Sequence, residues 1–254
     1  MGALSGKHAL ITGGGTGIGA AIAQALAAEG AAVSLAGRRK APLDEVAKRL
    51  PKAAAIVADI TRREDCTAMV EQARAAHGPL DIVIANAGNA ESAPAAKITP
   101  EHWERMIGVN LTGAFNTVQA AMADVTRSDA KGRIVFTAST AALKGYPYVA
   151  AYCAAKHGVV GLMRALAIEL APKGVTVNAV CPGYTDTPML AASVEAITSK
   201  TGRSPGEARD ALAKDNSGGT LISPDTVAAK VLWLCHPESG NITGQAIAIT
   251  GETA

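Results

Sequence analysis

The chain of 254 residues is 48% hydrophobic and 18% charged, and its 24 Lys and Arg against 22 Asp and Glu give a net charge of +2. This composition excludes a disordered chain and gives no electrostatic sign of general nucleic-acid or membrane binding. Aromatic residues make up only 3% of the sequence, which argues against a platform of stacked rings for single-stranded nucleic acid.

The sequence also carries no targeting signal or metal motif. The first fifteen residues contain no signal-peptide core, and the longest apolar stretch, 158–171, is interrupted by Arg164 and Glu169. The four cysteines are widely spaced and form no CxxC pair, so neither a zinc site nor a redox motif is indicated. We therefore expect a cytoplasmic protein with reduced thiols, no metal, and no nucleic-acid or membrane partner.

Short runs rich in Val and Ile alternate with longer Ala-rich segments. The runs predict seven strands, at 8–12, 32–36, 54–60, 81–87, 133–139, 175–180 and 246–250. The segments between them predict helices at 17–29, 42–50, 63–77, 100–125, 150–171 and 224–235. Alternating strands and helices indicate an α/β fold with a doubly wound, Rossmann-type parallel sheet, and runs of consecutive apolar residues suit strands covered on both faces.

One long segment, 184–222, interrupts this alternation and has no convincing strand. An excursion of this length in a compact domain is often functional, so we predict a helical substrate lid; the alternative is an ordinary surface insertion. No linker or internal repeat divides the sequence. We therefore expect residues 1–254 to form a single domain.

A glycine-rich segment, TGGGTGIG, follows the first strand and precedes the first helix. Glycines there permit a tight turn and let a pyrophosphate approach the backbone, while the helix start offers free N–H groups and the positive end of its dipole. A glycine loop by itself can be only a tight turn, but this strand–loop–helix context predicts dinucleotide binding. The loop residues expected to bind the cofactor are Gly13, Gly15, Thr16, Gly17, Ile18 and Gly19.

The end of the second strand bears on which cofactor is used. A dinucleotide fold that holds a free ribose 2′-hydroxyl places Asp or Glu there, whereas this chain has Gly37, Arg38 and Arg39. Guanidinium groups bind a phosphate with paired hydrogen bonds. Arg38 and Arg39 therefore predict NADP, with NAD as the alternative if these residues form only a solvated turn.

Tyr152 and Lys156 are four residues apart in a predicted helix and so share one face. A nearby ammonium should lower the pKa of a phenol from its usual ~10, which would let Tyr152 exchange protons near neutral pH. Such a pair is usually structural when it stands alone. Ser139, at the predicted end of the fifth strand, would meet it at the ligand-binding edge of the sheet, while His157 points about 100° away and is interpreted as structural.

These motifs together resemble the short-chain dehydrogenase/reductase family, and the likeness extends along nearly the whole chain. In chain order they are TGGGTGIG, Ala85-Asn86-Ala87-Gly88, Asn110, Ser139, Tyr152-x-x-x-Lys156, Pro182-Gly183 and Ile242-Thr243-Gly244-Gln245. Within the family, the chain looks most similar to the bacterial 3-oxoacyl reductases and 3-hydroxyacyl dehydrogenases. It departs at Thr16, where NADP-preferring relatives often have a basic residue.

The resemblance implies four catalytic residues. Tyr152 would be the proton donor in reduction and the base in oxidation, Ser139 would hold the substrate oxygen, and Asn110 would keep a water in a proton relay. Lys156 would bind the nicotinamide ribose and lower the pKa of Tyr152. The resemblance also implies that Tyr152 and Lys156 both contact the cofactor.

The remaining implied cofactor contacts lie after the third, fourth and sixth strands, where they would touch the adenine, the adenosine ribose and the nicotinamide. They are Asp59, Ile60, Asn86, Ala87, Gly88, Pro182, Gly183, Thr185 and Thr187. The resemblance also implies a homotetramer.

The sequence thus predicts an oxidoreductase that transfers a hydride between NADP(H) and a carbonyl or secondary alcohol, most simply a reductase of 3-oxoacyl-type or related ketones. One alternative is an NAD-dependent 3-hydroxyacyl or secondary-alcohol dehydrogenase that works oxidatively. A second alternative, a nucleotide-binding regulator without turnover, is disfavoured because all four catalytic residues are present.

Overall fold

Seven strands pair into one parallel sheet in the computed structural model, which describes residues 2–127 and 129–251. The strands are β1 (His8–Thr12), β2 (Ala32–Gly37), β3 (Ala53–Val57), β4 (Ile82–Ala85), β5 (Arg133–Thr137), β6 (Thr176–Pro182) and β7 (Ala246–Ile249). Their order across the sheet is β3-β2-β1-β4-β5-β6-β7. The chain moves outward from β1 in both directions, which is the predicted doubly wound topology.

Nine α-helices among the described residues cover this sheet. They are α1 (Gly17–Ala28), α2 (Lys40–Ala47), α3 (Arg63–His77), α4 (Pro100–Ile107), α5 (Gly113–Val125), α6 (Ala150–Leu170), α7 (Pro188–Thr201), α8 (Pro205–Ala213) and α9 (Pro224–Cys235). Two apolar cores lie on opposite faces of the sheet, and β1 supplies both because Leu10 points to one face and Ala9 and Ile11 point to the other. This burial on both sides explains the continuous apolar runs in the sequence.

The predicted helix at 100–125 is not one regular helix. It consists of α4 and α5 joined by a π-helical turn over Gly108–Thr112 that contains Asn110. The Asn110 side chain donates to the Met106 carbonyl at 2.9 Å and so competes with regular backbone pairing. Wide turns of this kind occur often at functional sites.

Three strands, β3, β4 and β5, end two or three residues earlier than the sequence predicts. β5 ends at Thr137, so Ser139 lies beyond it and caps a short 3-10 turn, Thr140–Ala142, by accepting a hydrogen bond from the Ala141 N–H at 3.1 Å. β3 ends at Val57, which leaves Asp59 and Ile60 in the loop that follows. These residues therefore lie in loops at the carboxyl edge, because the strands are too short to include them.

The lid segment (residues 184–222) contains two helices, α7 and α8, and a single bridge between Thr185 and Ile222. The side chains of Thr187 and Ser204 cap the two helices. The helical content agrees with the sequence prediction, whereas the role of this segment as a lid and the single-domain organisation remain predictions.

Within residues 2–127 and 129–251, no helix has both the length and the apolar character needed to span a membrane. The same residues contain no group of three or more His, Cys, Asp or Glu side chains that could hold a metal ion. All four cysteines are free thiols.

Two histidines meet at the edge of the sheet opposite to the carboxyl ends of the strands. The rings of His8 and His77 are 5.3 Å apart and nearly perpendicular, and His8 also contacts Ser34 Oγ at 2.9 Å and the Gly78 carbonyl at 2.8 Å. Burial lowers the pKa of both imidazoles, and the neighbouring His77 lowers that of His8 further. The folded protein therefore favours neutral rings, and protonation favours the unfolded chain.

We expect the chain to lose stability as the pH falls through about 6.5, the ordinary pKa of histidine in the unfolded chain. His8→Gln should reduce the loss in Tm between pH 7.5 and 5.5 by roughly 2–4 °C, the shift expected for about 1 kcal/mol in a chain of this size. His102→Gln, on α4, is the matched control. A wild type equally stable at both pH values would contradict this prediction.

Candidate active site

Helix α6 brings two of the predicted catalytic residues to one place. Lys156 Nζ lies 5.6 Å from the centroid of the Tyr152 ring, as their four-residue spacing predicts. The Tyr152 side chain lies near the Ser139 side chain, beyond the end of β5. His157 is exposed and its ring bonds to the Cys153 carbonyl at 2.9 Å. Ser139, Tyr152 and Lys156 thus form one cluster, and His157 is outside it.

The environment of Tyr152 corrects one expectation from the sequence. Burial raises the pKa of Tyr152 to about 12, and the nearby Ser139 side chain only partly offsets this rise. The prediction that Lys156 lowers this pKa below its ordinary value is therefore wrong for the structure. The largest cause is removal of the phenol from water, which disfavours the phenolate. Tyr152 is consequently protonated throughout the neutral range.

Lys156 is itself buried, with only 4% of its surface exposed. Its Nζ donates to the Thr137 carbonyl at 2.8 Å. Burial lowers the pKa of Lys156 to about 8, since no carboxylate contacts the ammonium among the described residues. The site therefore holds a protonated phenol beside an ammonium group that titrates close to neutral pH.

Asn110 joins this cluster through Gly88. A Cβ atom at Gly88 would lie 2.8 Å from Asn110 Oδ1 and 3.5 Å from Lys156 Nζ, so glycine is what lets these groups approach. The Asn110 amide accepts from the Asn89 N–H at 3.2 Å and donates to the Asn89 carbonyl at 2.8 Å. These bonds fix the loop after β4 beside Lys156. The predicted role of Asn110 in holding a relay water stays a prediction.

Hydrogen bonds from the residues that directly follow β4 hold the start of the glycine loop. Asn86 Nδ2 donates to the Thr12 carbonyl at 2.9 Å, and Thr12 Oγ1 accepts the N–H groups of Asn86 and Ala87 at 3.0 and 3.1 Å. A Cβ atom at Gly19 would lie 2.2 Å from the Gly13 carbonyl oxygen, so this glycine is required for the loop to pack on α1. Gly13 adopts a φ of 68°, which favours glycine.

The start of α1 fits a bound pyrophosphate. Its N-cap residue, Thr16, makes no side-chain capping bond, and the first turn carries no acidic residue. The first N–H groups are thus free of side-chain partners at the positive end of the helix dipole. A Cβ atom at Gly17 would lie 3.2 Å from the Thr187 methyl group. The loop after β6 therefore reaches the start of α1. The residues present fit a dinucleotide.

Arg38 and Arg39 follow β2 at the same edge of the sheet and are both exposed. Within the described part of the chain, neither guanidinium has a carboxylate within 4 Å. Arg38 is close enough to Asp59 to help lower the pKa of that carboxyl group, although hydrogen bonds from Thr61 are the larger cause. An arginine pair without a close ion-pair partner is available to an added phosphate.

The loop after β6 is internally bonded. Thr185 Oγ1 donates to the Gly183 carbonyl at 3.0 Å, and Thr187 Oγ1 donates to the Thr185 carbonyl at 3.2 Å while it caps α7. These bonds shape the loop, and the predicted contacts of Pro182, Gly183, Thr185 and Thr187 with a nicotinamide group stay predictions.

Two tyrosines that the sequence analysis did not assign lie next to the cluster. Tyr146 and Tyr184 are half-buried and pack edge to face at 6.2 Å between ring centroids. Tyr184 also contributes to the raised pKa of Tyr152, which places the two phenols near each other. No motif marks Tyr146 or Tyr184 in the sequence, because the contact joins residues 38 positions apart.

Sequence reasoning also missed the residues that hold the site in shape. Thr12, Asn89 and Asn216 each use a side chain to bond the backbone of a loop at the carboxyl edge. The open depression on α8, lined by Arg203, Glu207, Asp210, Ala211 and Lys214, includes none of the candidate residues. Its side chains carry both positive and negative charges, which is typical of a solvent-exposed helix face.

Several known proteins are similar to this chain in sequence and in structure. A family model described as short chain dehydrogenase matches residues 7–198. Acetoacetyl-CoA reductase of Shinella zoogloeoides is 38% identical over 250 residues, covering 96% of this chain and 97% of that protein. D-beta-hydroxybutyrate dehydrogenase of Cupriavidus necator is 35% identical over 248 residues, 95% of each protein. The crystal structure of a variant of actinorhodin polyketide ketoreductase with NADPH has a TM-score of 0.93 and 34% identity, covering 100% of this chain and 99% of that one.

Proposed function

The chain belongs to the short chain dehydrogenase family and is an oxidoreductase, and on this basis we propose that it reduces ketones with NADPH. The substrate class that fits best is a 3-oxoacyl compound or a related ketone, since an acetoacetyl-CoA reductase and a polyketide ketoreductase are among its relatives. The observation that carries the proposal is the cluster of Ser139, Tyr152 and Lys156 at the carboxyl edge of the sheet.

In the proposed mechanism, the ketone oxygen accepts hydrogen bonds from Ser139 and Tyr152. The bound cofactor supplies the hydride. As negative charge develops on the substrate oxygen, Tyr152 transfers its phenolic proton to that oxygen, and the Lys156 ammonium stabilises the remaining phenolate. The raised pKa of Tyr152 suits this direction because the phenol stays protonated until the alkoxide, a much stronger base, forms.

The same proposal assigns the cofactor contacts. The glycine loop and the start of α1 hold the pyrophosphate, Arg38 and Arg39 hold the 2′-phosphate, and Lys156 holds the nicotinamide ribose. The loop from Pro182 to Thr187 covers the nicotinamide. Asp59, Ile60, Asn86, Ala87 and Gly88 border the adenosine half.

A substrate panel tests the function directly. The purified protein should oxidise NADPH when it is given 3-oxoacyl thioesters, simple ketones or diketones, with the rate followed at the nicotinamide absorbance. No consumption of NADPH or NADH with any member of such a panel would refute ketone reduction and favour a binding protein.

Cofactor choice gives a sharper prediction. A charge-assisted contact to phosphate contributes roughly 1.5–3 kcal/mol, which corresponds to about ten- to a hundredfold in affinity. We therefore expect kcat/KM to favour NADPH over NADH, less strongly than in relatives with a basic residue in place of Thr16. Replacing Gly37 by Asp together with Arg38→Leu should reverse this preference, since the carboxylate repels the phosphate.

The control for that experiment is Lys40→Leu, since Lys40 is next to the arginine pair but bonds to Asp44 at 2.6 Å. If the wild type preferred NADH tenfold or more, Arg38 and Arg39 would not bind a 2′-phosphate and would form only a solvated turn. It would also favour the alternative function, an NAD-dependent 3-hydroxyacyl or secondary-alcohol dehydrogenase. The similarity to D-beta-hydroxybutyrate dehydrogenase supports that alternative.

We further propose a cytoplasmic homotetramer. Large apolar side chains remain exposed on several helices: for example, Trp103 on α4 is 45% exposed, Phe115 on α5 is 39% and Ile168 on α6 is 80%. Apolar surface on a monomer is typical of an interface with another chain where it forms a contiguous patch. Light scattering coupled to size exclusion should give four times the monomer mass of 25.6 kDa.

A further inference from the structure

We propose that Asn216 is a positioning residue that fixes Tyr184 as a rigid wall of the substrate pocket. As a result, the enzyme favours ketones whose substituent beside this wall is unbranched. This inference rests on the proposed ketone reduction and names the residues that select among its substrates.

Asn216 lies where the lid segment returns to the sheet, and only 4% of its surface is exposed. Its side-chain amide pairs with both backbone groups of Tyr184: Oδ1 accepts from the Tyr184 N–H at 3.0 Å, and Nδ2 donates to the Tyr184 carbonyl at 2.9 Å. Nδ2 also donates to the Thr220 carbonyl at 2.7 Å. This is the pairing that a neighbouring strand would give, supplied here by one side chain.

The residue before Tyr184 makes room for this contact. A Cβ atom at Gly183 would lie 2.2 Å from Asn216 Oδ1, a separation at which the amide has to move. The backbone N–H of Ile222 also donates to the Tyr184 carbonyl at 3.0 Å. The main chain of Tyr184 is therefore clamped from the lid side and cannot shift without breaking several partly buried hydrogen bonds.

The Tyr184 ring is fixed at its other end. It packs at 88° against Tyr146, and the Tyr146 hydroxyl donates to Thr140 Oγ1 at 2.8 Å. Thr140 directly follows Ser139, which contacts Tyr152. The contacts thus run without a break from Asn216 through Tyr184 and Tyr146 to the group that would hold the substrate oxygen.

A wall made in this way is both flat and rigid. A flat face lets a linear or planar substituent lie against it, whereas a tertiary alkyl group extends in every direction from its carbon and meets the ring. Close-packed side chains that are held at both ends do not yield to such a group. Loosening Asn216 or shortening Tyr184 should therefore admit branched ketones.

The test compares two 3-oxo esters at saturating NADPH: ethyl 3-oxobutanoate, which is linear, and ethyl 4,4-dimethyl-3-oxopentanoate, which is branched. The measured quantity is the ratio of their kcat/KM values. The variants are Asn216→Asp, which keeps the acceptor and loses both donors, Tyr184→Leu, and the two combined. Ser217→Ala is the matched control, since its hydroxyl bonds to Thr250 Oγ1 at 3.0 Å and leaves Tyr184 untouched.

We expect Asn216→Asp and Tyr184→Leu each to lower the linear-to-branched ratio roughly tenfold, the size of effect that a few methyl groups exert in a pocket. The change should appear mainly in KM for the branched ester. The double variant should go no further than the larger single effect, because Asn216 acts through Tyr184. Ser217→Ala should keep the wild-type ratio within about twofold.

Three outcomes overturn the inference: an unchanged ratio in Asn216→Asp, additive effects in the double variant, or an equal shift in Ser217→Ala. If Asn216→Asp does not fold, Gly183→Ala displaces the same amide, and an unchanged ratio there is equally fatal. If the wild type has equal kcat/KM values for the two esters, only the proposed role of Tyr184 as a rigid wall is refuted. A wild type that oxidises no NADPH with either ester or with the wider ketone panel refutes the proposed function itself.

Discussion

Tyr152→Phe is expected to lower kcat for ketone reduction by about 10²–10⁴-fold, the usual contribution of a positioned proton donor. The substitution removes one hydroxyl group and leaves the ring, so the half-buried packing of α6 is retained. Affinity for NADPH should change by no more than about twofold, because the phenol mainly serves the substrate oxygen. Steady-state kinetics and a fluorescence titration with NADPH measure the two quantities separately.

The matched control for this variant is Tyr148→Phe. Tyr148 precedes the same helix, and 66% of its surface is exposed, so loss of its hydroxyl should leave kcat within about twofold of wild type. Near-normal turnover in Tyr152→Phe would remove this residue from the proposed mechanism. A large loss in both variants would point to a disturbed helix start instead of a missing proton.

Lys156→Met should weaken NADPH binding by about ten- to a hundredfold, since one charge-assisted hydrogen bond contributes roughly 1.5–3 kcal/mol. It should also change the pH dependence of reduction. With a pKa of about 8, the wild-type lysine is an ammonium below that pH and neutral above it. Because the ammonium stabilises the developing charge, the wild-type rate should fall as the pH rises through about 8, and this fall should be absent in Lys156→Met.

Lys173→Met, just beyond the end of the same helix, removes an exposed lysine and serves as the control. It should leave both the NADPH affinity and the pH profile unchanged. If Lys156→Met showed the wild-type decline near pH 8, a different group would be responsible for it. That result would contradict the proposed role of the Lys156 charge in the mechanism.

The architecture and the family were accessible from the sequence because their signals are local. Apolar runs flanked by Gly, Lys and Pro predict strands and helices from a few neighbouring residues, and all seven predicted strands are present in the sheet. The Tyr152 and Lys156 spacing places two groups on one helical face without any tertiary information. The match of residues 7–198 to the short chain dehydrogenase model confirms the resemblance that these motifs carried.

Only the tertiary structure decided the properties that depend on contacts between distant segments and on removal from water. Burial, which the sequence cannot display, raises the pKa of Tyr152 to about 12 and lowers that of Lys156 to about 8, against the sequence prediction for the phenol. The wide turn at Asn110 depends on the loop after β4, which its amide bonds. The clamp of Asn216 on Tyr184 joins residues 32 positions apart. Periodicity reports which face of an element is apolar, but such groups meet only when the sheet brings the ends of its strands together.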